Sequence, residues 1–424
     1  MTEAAGALVA TPATEQQARP WTCPFCALLC DRFGVTTDTD GSFALVGSRC
    51  PRAMRSLGQF SACTEPASAT IDGAPVSLDA ALDAAARILA RARQPLFAGL
   101  ATDLAGARAL FRLGSACHAI FDHAHGETML PGLRALQDRG VIQTTLAEIR
   151  SRADLLVCLG TLPSLRYPEF FRRIAPAVDT ATRDVVFVGV DVDPALGGEN
   201  ASRVDLQNDW FETLAILNAL ARKRRLVTKA PALAALVERL LAARYAVLVW
   251  EAAALPGTQI ALLVESINDL LRTLNRSTRA GGLALAGNDG ALSFNQALTW
   301  MSGLPLRTGL HASGQDHEPH RYSSQRLLSD GATDALLWIS AFGAELKPPP
   351  TQVPTVLLGH PALSSAGKDS VFIPVSAPGI GSAGHLTRID GVVVVPLTAL
   401  FADSTPTVAS IATHLLDRVK ALRS

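Results

Sequence analysis

The stretch "CPFCALLC" at residues 23–30, answered by a fourth cysteine in "GSRCPRA" at 47–53, decides how the rest of the chain is read. Cys23, Cys26, Cys30 and Cys50 stand in the spacing C-x2-C-x3-C-x19-C. Between the third and the fourth, "DRFGVTTD" and "SFALVG" read as strands joined by "TDG", a hairpin that carries the chain back toward the first three sulfurs. Three thiolates from one tight turn and a fourth from a returning hairpin suit a [4Fe–4S] cubane, with one cysteine per iron. Zinc is the alternative, although four-sulfur zinc sites more often use paired C-x2-C knuckles. Unmetallated thiols are the third reading. The scattered Cys63, Cys117 and Cys158 are read as small buried hydrophobes.

The lobe, residues 21–72, follows a segment 1–20 read as a disordered extension, since it lacks the basic and long apolar regions of a signal peptide. The whole chain has 424 residues, 48% of them hydrophobic, with 38 basic and 38 acidic side chains. That length supports more than one full core. The charge balance argues against a nucleic-acid partner, which needs a basic excess, and against a disordered scaffold. The most apolar region, 231–255, is interrupted by Glu238, Arg239, Arg244 and Glu251, so a membrane span is not expected. A reducing cytoplasm is the expected compartment, where clustered cysteines bind metal more often than they form disulfides.

Beyond residue 72 the texture becomes α/β. Helical periodicity in "LDAALDAAARILARAR", "LAGARALFRLGSACHA", "WFETLAILNALARKRR" and "TQIALLVESINDLLRTLNRS" alternates with short apolar runs such as "PLFAGLA", "ADLLVCLG", "DVVFVGVDVD" and "YAVLVW". Continuous apolar strands between amphipathic helices imply parallel sheets covered on both faces. "DALLWISAF", "PTVLLG" and "SVFIPV" read as strands of a second sheet, and the tail from 404 as a closing helix. No nucleophile elbow occurs, no dinucleotide glycine fingerprint is read after a strand, and "AGKDS" around Lys368 lacks the groups a phosphate loop needs.

Several separated stretches resemble the B subunit of formylmethanofuran dehydrogenase, a member of the molybdopterin oxidoreductases. They are "CPFCALLCDRFGV…GSRCPRA", "ALQDRG" with "AEIRSRADLLVCLGTLP", "VDVDP" at 190–194, "FNQALTWMSGLP" at 294–305, "TDALLWIS" at 333–340 and "SAPGIGSAGHLTRIDGVVVVPL" at 376–397. The resemblance implies a small four-cysteine lobe and two doubly wound parallel-sheet domains, which in that dehydrogenase clasp a bis-pterin molybdenum or tungsten cofactor. One domain would be discontinuous, 73–145 with 310–424, and the other, 146–309, inserted into it.

One departure redirects the functional expectation. Where the dehydrogenase places a metal-ligating cysteine or selenocysteine before His-Gly-Pro, this chain reads "DHAHGETML" at 122–130, which puts Ala124 at the ligand position and leaves His125 as a remnant. A methyl group cannot ligate a metal that takes a soft donor there, so molybdopterin is expected to be absent. Such a divergent B subunit is most similar to that of the bacterial formyltransferase/hydrolase complex. In that complex formyl groups from formaldehyde oxidation are handled by an amidohydrolase-like hydrolase and a formyltransferase, beside a C-type subunit. The resemblance thus implies a non-redox subunit with no catalytic residue of its own. The rivals are a working oxidoreductase with an unusual ligand, and a binding module whose cleft holds the glutamyl tail of a furan carrier.

Other polar groups have a bland reading beside a sharp one. His123 and His125, with His311, His317 and His320 of "HASGQDHEPHRY", could share a metal or be ordinary surface and packing residues. Asp191 and Asp193 end a strand, where α/β folds bind ligands, or are turn caps. Arg52 matches a basic position that in the family lies between cluster and pterin, or merely shields thiolate charge. "APGIGSAGH" cradles a phosphate or makes a turn open only to glycine.

Overall fold

The computed structural model describes residues 18–63, 67–176, 183–196, 200–227, 229–363 and 369–424. Most of the segment read as a disordered extension, and Lys368, lie outside the described residues. The lobe is a three-stranded antiparallel sheet, Arg19–Trp21, Phe33–Thr37 and Phe43–Val46, followed by the helix Pro51–Leu57. Its expected hairpin is present. Arg19–Trp21 carries no strand signal of its own; its pairing with Phe33–Val35 supplies the backbone bonds that a short exposed segment would otherwise lack.

Two α/β sheets carry most of the rest, beside a two-stranded antiparallel sheet of Gly384–Thr387 and Val394–Leu397. Five all-parallel strands, Leu155–Leu159, Asp184–Val188, Ala201–Val204, Ala246–Trp250 and Ala280–Ala284, stand in the order third, second, first, fourth, fifth. This is a doubly wound arrangement with its switch point between the first and fourth strands. The larger sheet has nine strands. Its parallel centre runs Ile120–Phe121, Pro95–Ala101, Ala335–Ser340, Thr355–Gly359 and Ser370–Pro374, flanked by antiparallel edges. The central strands of both are buried along nearly their whole length, as apolar runs with helices on both faces require.

Sheet pairing and core burial move two of the expected boundaries, those at 72/73 and 309/310. Ala69–Ile71 pairs with Ser370–Pro374 in the nine-stranded sheet rather than staying with the lobe. Thr308–His311 pairs with Ile120–Phe121 of that same sheet. The helix Ala291–Ser302, inside the 146–309 segment, buries Ala291, Phe294, Ala297 and Leu298 in the core of the nine-stranded sheet. In each case backbone pairing or apolar burial outweighs proximity along the chain. Helix starts are set locally: Ser77, Asp103, Thr145, Asp209, Ser323 and Thr407 each accept the amide three residues on, worth about 1 kcal/mol apiece.

Among the described residues, no helix is long and apolar enough to cross a membrane.

Candidate functional site

The 23–30 turn closes when the Cys23 amide donates to Cys30 O (2.9 Å) and the Leu29 amide to Cys26 O (3.1 Å). Leu29 takes a left-handed φ of 46°, which a side chain tolerates only when its surroundings impose it. Cys50 stands at the N-cap of the helix Pro51–Leu57, whose first amides, those of Arg52 and Ala53, favour its thiolate against burial. All four sulfurs are buried within one apolar cluster with Trp21, Phe25 and Phe33.

Burial raises every one of these thiols, pushing Cys26 to about 11 and Cys23 and Cys30 upward too, while Cys23 also feels Cys26, Cys30 and Cys50. Arg52 opposes the rise at Cys26 and Arg173 at Cys30. Backbone amides of Phe25 and Leu28 also favour the thiolates of Cys23 and Cys26. The four neighbouring thiols are soft donors by type, and loading them with a metal would release their protons. Among the described residues, however, no group of three or more His, Cys, Asp or Glu side chains is set to hold one metal ion as it stands. The four cysteines are neighbours within one buried apolar cluster.

A second turn, 287–290, faces the cysteines. Gly287, Asp289 and Gly290 all have positive φ (93°, 53° and 76°), and a side chain at Gly290 would come within 2.2 Å of Thr102 O. Asn288 Oδ1 accepts the Ala27 amide at 3.0 Å. Asp289 reaches the other way, its Oδ2 lying 2.6 Å from His125 Nε2 and its Oδ1 3.8 Å from the Arg52 guanidinium. Its own acidity is strengthened: burial would raise the carboxyl, but His125 and Arg52 hold it below the usual range.

The 122–126 turn is held by a bulge in the strand Pro95–Ala101, where Gly99 and Leu100 take φ of 72° and 56° and the register against Ala335–Ser340 slips. Gly99 O accepts the Ala124 amide. His123 is fully enclosed: its Nδ1 accepts the His125 amide at 3.1 Å, so its Nε2 carries the proton and donates to Asp289 O at 3.3 Å. Burial, then the neighbouring His125, push it down to about 3, so it is neutral.

Arg52, Arg55, Arg166, His125, Asn288 and Asp289 line a cleft of about 520 Å³ with Phe25 and Phe342. Ala124 does not line it. Its methyl packs against the apolar cluster of Trp338 and Tyr322 and borders a different cavity of about 920 Å³ with Asp122, Glu127 and Ser324. Behind that turn, Arg307 pairs with buried Asp122 at 3.2 Å and with Glu127 at 2.6 Å.

The remaining candidates resolve individually. Arg52 donates to Phe25 O and faces Asp289, so it joins the cysteine turn to the cleft. Asp193 accepts from the amides of Ser164 and Ala195 and from Ser164 Oγ, a turn cap, while exposed Asp191 pairs with Arg203. His311 meets Asp316 and Tyr322, His317 meets Arg307 O, and His320 meets Arg134; none of these contacts involves His125. Cys117 and Cys158 are buried as expected, but Cys63 is exposed, beside the Gly41 turn. The glycine-rich segment receives Trp21 Nε1, which donates to Gly379 O at 2.8 Å. Gly379, Gly381 and Gly384 do have the spacing of a dinucleotide fingerprint, but a strand, Gly384–Thr387, follows instead of a helix. Sequence reasoning misses Asn288 and Asp289 altogether. A "GNDG" run signals only a turn, and nothing local says what that turn faces.

Comparison with known proteins adds a lineage to this geometry. No family model matches the chain. It is 30% identical over 369 residues to the B subunit of the Fhc formyltransferase/hydrolase complex of Methylorubrum extorquens, spanning 83% of this chain and 97% of that protein. It is 25% identical over 398 residues to the B subunit of the tungsten-containing formylmethanofuran dehydrogenase 2 of Methanocaldococcus jannaschii, spanning 87% and 91% of the two chains. Among solved structures, a chain of the FhcABCD formyltransferase/hydrolase complex from Methylorubrum extorquens, crystallised with methylofuran, superposes with a TM-score of 0.72 at 28% identity, covering 84% of this chain and 99% of that one.

Proposed function

The chain belongs to the family of B subunits of formyltransferase/hydrolase complexes, and from that premise we propose that it is a non-redox subunit of such a complex in cytoplasmic one-carbon metabolism. Its partners are then the hydrolase, formyltransferase and C-type subunits, and its role is assembly rather than catalysis. The observation that carries the non-redox reading is Ala124. Its methyl group is packed against the cluster of Trp338 and Tyr322 beside the second cavity, and no sulfur stands in the 122–126 turn. Molybdenum or tungsten finds no soft ligand there.

The four cysteines are a separate matter. Their burial in one shared apolar cluster supports a bound centre that ties down a lobe with little core of its own. The three-plus-one spacing favours a [4Fe–4S] cubane over zinc. When bound, such a cluster supplies cross-linking and one-electron chemistry.

The deciding experiment is elemental analysis of the anaerobically purified complex for iron, zinc, molybdenum and tungsten. About four irons per chain, as one cubane requires, with neither molybdenum nor tungsten supports the reading. Either heavy metal near one per chain overturns it in favour of an active oxidoreductase.

A further inference from the structure

The 23–30 turn does not hold itself. Its two internal backbone bonds close the ends but leave the middle, 24–28, to be fixed from outside. Three contacts do this. Phe25 O accepts from Arg52 Nε of the lobe's own helix, Ala27 O accepts the Ile389 amide at 2.8 Å, and the Ala27 amide donates to Asn288 Oδ1 at 3.0 Å. The last is the only side-chain contact that reaches the middle of the turn from outside the lobe among these three, and it comes from 261 residues away in sequence. Ala27 is 3% exposed, so its amide depends on that protein acceptor in the closed turn.

The direction of the Ala27 amide matters as much as its pairing. The amides of Phe25 and Leu28 favour the thiolates of Cys23 and Cys26, whereas the Ala27 amide donates outward to Asn288. We propose that Asn288 is the positioning residue of the four-cysteine site: it fixes the 23–30 turn in the conformation that brings Cys23, Cys26 and Cys30 toward Cys50. The lobe's sulfur site is therefore completed by a turn of the main body. For what the sulfurs hold, this inference rests on the function proposed above; for the geometry of the turn, it does not.

The test follows individual thiols in the full complex. Native protein is treated with iodoacetamide and labelling is read residue by residue by mass spectrometry, with iron and zinc per chain measured in parallel. Cys117, buried in the separate core of the nine-stranded sheet, reports any global opening. In Asn288→Ala, the buried Ala27 amide loses its partner, and Cys26 and Cys30 are expected to label roughly fivefold faster or more, with Cys117 unchanged. Asn288→Asp, which keeps an acceptor oxygen, is expected to restore slow labelling. If the native protein carries metal, Asn288→Ala also releases it faster to a chelator. If the native protein carries none, the metal reading fails while the labelling rates still decide the positioning role. Unchanged labelling of Cys26 in Asn288→Ala, or equal acceleration at Cys117, overturns the proposal.

Discussion

His125 Nε2 and Asp289 Oδ2 lie 2.6 Å apart, joining the turn after the strand Ile120–Phe121 to the turn before the helix Ala291–Ser302. Arg52 approaches the same carboxylate from the lobe. Asp289 thus serves three parts of the molecule. Asp289→Asn keeps a residue tolerant of φ 53° but removes the charge, and both partners are about a third exposed. A loss of about 1–2 kcal/mol is expected in denaturant titration, because two charge-assisted contacts weaken where water competes only partly. No loss would mean that the pair is incidental.

His123 predicts an acid-side instability. Its folded pKa, about 3, lies below the ordinary 6.5, so the folded state stays neutral where the unfolded chain takes a proton. The unfolded state then binds more protons, and stability rises with pH across this window. The contribution is fully present above about pH 6.5 and is lost as the pH falls toward 3, at up to about 1.4 kcal/mol per pH unit. His123→Gln, which cannot titrate there, is expected to show a shallower decline between pH 6 and 4 than the native chain.

The Arg307–Asp122 pair is buried at both ends, with side chains 2% and 4% exposed. Removing the cation in Arg307→Met leaves an acid whose carboxyl burial already pushes upward. Destabilisation of about 3 kcal/mol is expected, since a buried charge has lost its partner. Adding Asp122→Asn, which keeps acceptors for Ser324, is expected to recover part of it; a purely additive double variant would show that the two do not act as a pair.

Two glycines separate backbone strain from crowding. Gly290 and Gly303 have φ of 76° and 81°, but a side chain at Gly290 meets Thr102 O at 2.2 Å whereas at Gly303 it meets nothing within 4 Å. Gly303→Ala is expected to cost about 1–2 kcal/mol, the left-handed penalty alone. Gly290→Ala is expected to abolish soluble expression or lower the thermal midpoint far more. Equal effects would show that the 287–290 turn yields freely.

Much of the fold is legible because its signals are local. Helical periodicity locates Leu78–Arg91, Leu104–Cys117, Trp210–Ala221 and Ile260–Leu274, and apolar runs locate the strands of both sheets. The helix Gly126–Arg139 escapes such a reading: it contains Pro131 and follows the irregular 122–126 turn, so its opening carries no start signal. Arg19–Trp21 is too short to show a period, and only its partner strand makes it one.

The sequence by itself determined the residues available: four cysteines spaced C-x2-C-x3-C-x19-C, an alanine between His123 and His125, alternating helices and strands, and no excess charge. These follow from residue identity and short-range periodicity, which chain order preserves. Only the tertiary structure decided what those residues face. Ala27 finds its acceptor 261 positions away, Asp289 meets His125 from 164 away, and Ala124 turns from the arginine-lined cleft toward Trp338. Such pairings are set by how sheets stack and turns meet, and no local pattern encodes a partner that distant.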